Sequence, residues 1–466
     1  MNTRRFGFAR RIAVVAAAAA VSLIGVAGVA QADDSNPATG VGNIDSTKSG
    51  SITIHKRVGD EGKAGDGTKL ANPTGDSLDG VTFQIQKVDT AAGKALDVTD
   101  PTAWPTISSL TVAQAQAGTL TGTQTAETAN GGIAAFDNLS LGVYLVTELN
   151  APASVTSKVA PFLVTLPLPQ TQGKWLYDVS VYPKNQQANP PKKSVADANG
   201  FTVGSTVVWT ITQDIPKLNG ADSFKTFSVS DALDSRLELQ QDAVVVKIGD
   251  TVVPKGDYSF SGNTVITFNE TGRALLQQNQ GKTLSIDLPT TVLESANGII
   301  ENSAITNIND GQQTSNTVTS NWGKLTVHKQ DSADHSVVLK GAEFDVFSGP
   351  NATGDKVGHL VTGENGEATI TLFVGSNGVK SRQYSIKETM APAGYNLVET
   401  PINVDVVSNT TTSTTIQAVD NPQATHPDLP LTGANGQLLA TIGGGALVLL
   451  AAGSALILAR RRQQQH

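Results

Sequence analysis

Residues 324–329 read Lys-Leu-Thr-Val-His-Lys, and residues 51–56 read Ser-Ile-Thr-Ile-His-Lys. Both alternate apolar and polar residues with a period of two, the signature of a strand with one face in a core. In each, the last lysine falls on the apolar face: Lys329 behind Leu325 and Val327, Lys56 behind Ile52 and Ile54. A lysine is not buried there without a partner. The segments that follow also repeat. GVTFQIQ from Gly80 answers to GAEFDVF from Gly341, ANGGIAAF from Ala129 to ENGEATI from Glu364, and YLVTELNAP from Tyr144 to YSIKETMAP from Tyr384. Self-similarity at this scale means two copies of one structural design.

Strand-rich stretches separated by turn residues predict an all-β chain of three tandem immunoglobulin-like β-sandwiches. The expected units are 33–186, 187–322 and 323–422, with the linker QQANPP near 186–191. Residues 89–130 read as an insertion with turns and a short helix over Thr111 to Gln116. At the start, Arg4, Arg5, Arg10 and Arg11 precede an apolar stretch ending in Ala30-Gln31-Ala32. This is a secretory signal over 1–32.

At the other end, residues 423–466 hold Leu429-Pro430-Leu431-Thr432-Gly433, an apolar run from Leu438 to Ala459, and Arg460 to Arg462. The run is long enough for one membrane-spanning helix, and the arginines hold its end in the cytoplasm. This order resembles the cell-wall sorting signal of Gram-positive surface proteins. The resemblance implies that a sortase cuts between Thr432 and Gly433, holds the Thr432 carbonyl as a thioester and passes it to an amine.

The formal net charge is −8, and residues 1–32 and 434–466 carry arginine and no acid, so processing makes the chain more acidic still. Nucleic acid is therefore excluded as a partner. No cysteine is present, so a secreted multidomain chain must be braced without disulfides. The six histidines show no metal-ligand spacing, and no Ser-His-Asp set or paired-carboxylate signature appears. No cofactor, no metal and no turnover activity are implied. His55 and His328 sit at equivalent outward strand positions and are expected to be solvated.

In the third unit, Lys329, Glu388 and Asn421 share the core-facing phase of three strands. As an ion pair with an amide, such a group contributes little to stability. A chemical reading explains it better. Burial favours the neutral amine and the neutral acid. The amine can then attack the amide carbon, with the carboxyl shuttling protons and ammonia leaving. The residues KLTVHK, GAEF, YSIKETMAPAGY and AVDN closely resemble the collagen-adhesin B-type domain of Gram-positive pilins. That family forms a Lys–Asn isopeptide bond with these three residues.

In the first unit the same roles fall to Lys56, Glu148 and Asn185. There Leu149 departs from the threonine of the family's ETxAP, and the Gly-Tyr that should follow is missing. The middle unit, through FSVSDALDSRLEL, resembles the isopeptide-forming pilin module that uses Asp. The resemblance points to Lys193, Asp231 and Asn302. Lys192 remains open for the lysine, and Asn316 and Asn321 for the amide.

The segment Trp175 to Lys184 contains Trp175, Val179, Val181, Tyr182, Pro183 and Lys184 at W-x(3)-V-x-V-Y-P-K spacing. It resembles the pilin motif of major pilus subunits, whose lysine takes the sortase-held threonine of the next copy. Alternation sends Val179, Val181 and Asn185 inward and Tyr182 and Lys184 outward. Pro183, lacking an amide hydrogen, suits an edge strand.

Together these readings describe the polymerised shaft subunit of an actinobacterial-type fimbria in the cell wall. Its implied partners are a pilus-specific and a housekeeping sortase, other copies of itself, minor pilins, peptidoglycan, and a host receptor or glycan, with 89–130 the expected contact. The alternatives are a monomeric wall-anchored adhesin, which needs no Lys184, a tip or basal pilin, and a wall-anchored enzyme.

Overall fold

The computed structural model describes residues 43–60, 62, 65–262, 264–293 and 298–418. The signal segment 1–32, Asn421 and the whole sorting signal with its apolar run lie outside the described residues. Among the described residues no helix is long and apolar enough to cross a membrane.

The chain is all-β, built as successive pairs of facing sheets. In the first pair, Gly50–His55 lies between Asp178–Val181, which it meets in parallel, and Ile133–Leu139, which it meets antiparallel. The facing sheet runs Lys94–Ala95, Thr82–Ala91, Gly142–Asn150, Phe162–Leu166. Alternate side chains from both sheets, among them Ile52, Ile54, Phe83, Ile85, Val146, Val179 and Val181, fill the space between them.

Gly142–Asn150 is apolar on both faces because its outer side is also covered. Val143, Leu145 and Leu163 pack there against Ile107, Leu110 and Ala115. Those last residues come from the segment expected to be an insertion. Helix Val112–Gln116 is present, with Thr111 as N-cap in a reciprocal capping box with Gln114. The expectation fails for its second half. Thr119–Glu127 is a strand that pairs with Thr82–Ala91 and is part of the sheet. Its Thr-rich sequence is exposed along most of its length, so no apolar periodicity marked it.

In the middle pair, Lys192–Val195, Thr206–Asp214, Thr283–Val292, Val245–Ile248 and Thr251–Val252 form one sheet. The other runs Tyr258–Ser261, Val265–Phe268, Phe227–Asp231, Ala304–Ile308, Gly311–Thr314. Trp209, Phe227, Phe268 and Leu276 are fully buried between them. Leu276 arrives on helix Glu270–Gln277, capped by the Asn269 side chain on Gly272 N–H.

The third pair is joined to the second by one continuous strand, Val318–Asp331. Val318 and Trp322 belong to the middle core, Leu325 and Val327 to the next. Thr411–Ala418 joins this strand in parallel, as Asp178–Val181 joins Gly50–His55. First and last strands are thus neighbours in both repeats. That adjacency decides which side chains can meet across the ends of each unit.

Candidate functional site

Lys56 follows the first strand and is completely buried, as is Asn185 on Lys184–Gln187. The parallel register Asn185↔Val58 brings the two strands together. Lys56 Nζ donates to Glu148 Oε2 at 2.8 Å and to Asn185 Oδ1 at 2.5 Å. Asn185 Nδ2 donates to Glu148 Oε1 at 2.6 Å. One carboxylate therefore bridges the amine and the amide nitrogen. A third contact was not visible in the sequence: the backbone N–H of Val159 donates to Asn185 Oδ1 at 2.8 Å.

In the middle unit Lys193 is buried and Lys192 exposed. Lys193 Nζ contacts Asp231 Oδ2. Burial pushes the Lys193 amine below its ordinary range, and the Asp231 charge only partly offsets this. Burial likewise pushes Asp231 up, against the opposing pulls of Lys193 and Asn302. Both directions favour a neutral amine beside a neutral acid.

Of the three candidate amides, Asn316 is exposed and exchanges hydrogen bonds with the backbone of Lys193. Asn321 is buried and donates to the Val379 carbonyl. Asn302 is buried beside Asp231, with neither amide atom in a well-aligned hydrogen bond among the described residues. Its pull on Asp231 is one of proximity, with no formed hydrogen bond between them.

In the third unit Lys329 and Glu388 are buried, Nζ to Oε1 2.7 Å. The pair is an ion contact rather than an aligned hydrogen bond. Glu388 Oε2 accepts the Val398 backbone N–H at 2.8 Å. The partner expected here, Asn421, lies outside the described residues.

An aromatic ring lies near each amine: Phe83 at 5.5 Å from Lys56, Trp209 at 5.9 Å from Lys193 and Phe344 at 5.8 Å from Lys329. These rings exclude water and interact favourably with whatever positive charge the amine carries. The signal was present, since Phe83 and Phe344 occupy matching places in GVTF and GAEF, but alternation alone could not place them over the lysines.

The segment 175–184 holds the short strands Trp175–Leu176 and Asp178–Val181 and, beyond a break at Pro183, the start of Lys184–Gln187. Asp178–Val181 is an edge strand, with Val179 and Val181 in the core. Lys184–Gln187 is not an edge: Arg57–Val58 flanks it on one side and Val155–Ser157 on the other. Pro183 is buried at the break, and its carbonyl accepts the Arg57 N–H.

Trp175 Nε1 donates to Asn43 Oδ1 at 2.8 Å, and its ring lies 5.3 Å from Trp104. Lys184 is half-buried. Its Nζ donates to Thr74 Oγ1 at 2.8 Å, and its carbonyl accepts from Asn219 Nδ2 at 2.9 Å. Gly75, next to Thr74, has φ +85°, and a Cβ there would collide with the Val58 carbonyl. Only glycine lets this loop lie so close to the strand.

The same loop corrects the expectation for His55. Its ring stacks on Tyr182 at 4.7 Å, and the Tyr182 hydroxyl accepts the Leu70 N–H. His55 is buried, and burial, with Lys69 and Arg57 nearby, lowers its pKa. The loop residues that cover it are distant from the strand in sequence, so strand phase alone called the position outward. His328 is partly exposed and meets Glu367 at 3.1 Å.

Comparison with known proteins agrees with this architecture. Residues 47–186 match the Gram-positive pilin subunit D1 N-terminal domain, 183–322 the cell surface antigen I/II C2 terminal domain, 323–421 a prealbumin-like fold domain, and 421–465 the LPXTG cell wall anchor motif. The chain is 32% identical to fimbrial subunit type 2 of Actinomyces naeslundii, over 95% of this chain and 94% of that one. It is 29% identical to fimbrial subunit type 1 of Actinomyces viscosus, over 95% of each. Among solved structures it is similar to the full-length major pilin SpaD of Corynebacterium diphtheriae, with TM-score 0.68 and 29% identity, covering 82% of this chain and 99% of that one.

A chain of tandem β-sandwiches ending in a wall-anchor motif is a surface structural protein. It belongs to the LPXTG-anchored major pilins of Gram-positive bacteria. It is a structural pilin of a surface pilus anchored in the cell wall. Its anchor and relatives imply processing by sortase and polymerisation with other pilin subunits.

Proposed function

We propose that Lys184 is the acceptor through which sortase joins this subunit to Thr432 of another copy. The Thr432–Gly433 peptide bond breaks, the acyl group rests on the sortase cysteine, and the Lys184 amine takes it. The observation that carries this reading is the folding of the motif. Its valines enter the core, while the Lys184 amine stays outside it on a threonine hydroxyl. A pilus-specific sortase performs this step, and a housekeeping sortase attaches the finished polymer to peptidoglycan. Minor pilins share the fibre, and a host receptor or glycan meets its surface.

Within the subunit, Lys56–Asn185, Lys193–Asn302 and Lys329–Asn421 form isopeptide bonds, with Glu148, Asp231 and Glu388 as proton carriers. The buried contacts of the first two sets and the Lys329–Glu388 pair support these roles. The burial of Asn302 beside Asp231 favours it over exposed Asn316 and over Asn321, which is buried on the Val379 carbonyl, and the exposure of Lys192 favours Lys193. The units of this shaft are 33–186, 187–322 and 323–422. Each bond forms once, so the chain is not a turnover enzyme.

The test is an immunoblot of boiled, detergent-treated cell-wall extract from the native host. The unaltered chain gives a ladder of very large species, and Lys184→Arg, which keeps the charge, gives monomer. A ladder that persists in Lys184→Arg would move the acceptor elsewhere. A single band in both would leave a monomeric anchored protein.

A further inference from the structure

We infer that the backbone N–H of Val159 is an oxyanion donor for cross-link formation in the first unit. The inference rests on the reading that Lys56 and Asn185 become joined. Asn185 Oδ1 receives two hydrogen bonds, from Lys56 Nζ and from Val159 N–H. Only the second persists through the reaction. As the amine attacks, its bond to Oδ1 is replaced by the new bond to Cγ.

A proton moves from the Lys56 ammonium to Glu148 Oε2 along their 2.8 Å contact, giving amine and acid. Nζ attacks Cγ of Asn185, and the carbonyl π pair moves onto Oδ1. Glu148 hands its proton to Nδ2, which already lies 2.6 Å from Oε1, and then takes one from Nζ. The Cγ–Nδ2 bond breaks. Ammonia leaves with the two amide hydrogens and one from the amine, and a secondary amide remains.

Negative charge therefore develops on Oδ1, in a site that water does not reach. A fixed donor there is worth far more than in solvent, because it needs no reorganisation as the charge appears. Glu148 cannot serve Oδ1 as well, since its two oxygens are occupied by the amine and the leaving nitrogen.

The middle unit does not share this arrangement, and among the described residues of the third the loop amide has a different acceptor. Asn302 Oδ1 has no hydrogen-bond partner among the described residues. In the third unit the amide of the corresponding loop, Val398, is directed at the carboxylate Oε2 of Glu388. Counted back from the matched pairs Val146↔Phe162 and Ile386↔Ile402, Val398 aligns with Lys158, one residue before Val159. A one-residue difference in the same loop thus sends a backbone N–H to the electrophile in one copy and to the proton carrier in the other.

The test replaces the Val159 amide by an ester in the mature chain, through incorporation of the α-hydroxy analogue of valine. Side chain and shape are kept and one N–H is lost. Val159→Ala, which keeps the N–H, is the companion. Peptide mapping by mass spectrometry follows the Lys56–Asn185 and Lys329–Asn421 cross-links separately over time after synthesis.

The ester is expected to slow the Lys56–Asn185 bond by about a hundredfold or more, the usual effect of deleting one oxyanion donor. Val159→Ala and the Lys329–Asn421 bond should keep wild-type rates. Near-wild-type formation in the ester would overturn the inference. So would equal slowing in Val159→Ala, which would mean that packing is responsible. A wild-type chain that never joins Lys56 to Asn185 would instead overturn the underlying reading, and the proposal with it.

Discussion

Asn185→Ala isolates the contribution of one cross-link. Lys56 and Asn185 are 129 residues apart in sequence. Closing a loop of that length removes chain entropy from the unfolded state worth about 5 kcal/mol. The substitution also deletes the Val159 contact with Oδ1, worth about 1 kcal/mol net, whereas the Nδ2 contact is already gone from the cross-linked chain because that nitrogen has left as ammonia. It does not orphan a charge, because Lys56 and Glu148 still face each other at 2.8 Å. The penalty of about 3–5 kcal/mol for breaking a buried pair is therefore not incurred.

The expected loss is about 5–6 kcal/mol for the first unit. At roughly 2–4 °C per kcal/mol for a unit of this size, its calorimetric transition falls by about 10–24 °C. The other transitions stay in place. Glu148→Gln should also abolish the bond, and it should cost more because it removes the countercharge of buried Lys56. Intact mass provides the second readout, since the wild-type first unit has lost one ammonia and both variants have not. A wild-type chain with unreduced mass, or a transition lowered by only a few degrees, would refute the reasoning.

Two further predictions concern the middle unit. In an Asn302→Ala background, which prevents its cross-link, adding Asp231→Asn removes the charge that holds the Lys193 pKa up against burial. The folded-state pKa then falls further below the ordinary lysine value of 10.5. The associated stability is fully present above 10.5 and is lost as pH drops through the folded value. Urea unfolding across that range should show the double variant losing stability toward neutral pH more steeply than Asn302→Ala alone, and a flat or opposite trend would count against the buried-pair reading. Trp209→Ala empties a completely buried site and breaks the indole contact with Thr290, so a loss of about 3–5 kcal/mol is expected by denaturant titration. A cost below about 1 kcal/mol would mean that the core collapses around the gap.

The β architecture and two of the lysine positions were legible because side-chain alternation along a strand is a local steric property. It places Lys56 and Lys329 in cores without reference to any other part of the chain, whereas the choice of Lys193 over Lys192 waited on the structure, which buries the first and exposes the second. The repeat of the first unit in the third was legible for the same reason, since each copy carries its own pattern. The sorting signal is linear, and its order alone implies its processing. Legibility failed where burial came from a distant segment. His55 is covered through Tyr182 and the loop that holds Leu70 and Thr74, and nothing in its own strand announces that cover. Thr119–Glu127 was missed because an exposed, Thr-rich strand has no apolar face to betray it.

The amino-acid order by itself thus determined that buried amines face acids inside β-sandwiches and that one lysine stands outside, because these follow from period-two geometry. Tertiary structure decided the rest. It laid Asn302 beside Asp231, Asn316 on the Lys193 backbone and Asn321 on the Val379 carbonyl, carried one strand from the middle core into the next, and set the Val159 amide on Asn185. Each of these depends on register and loop path between segments far apart in the chain, and local alternation contains no information about either.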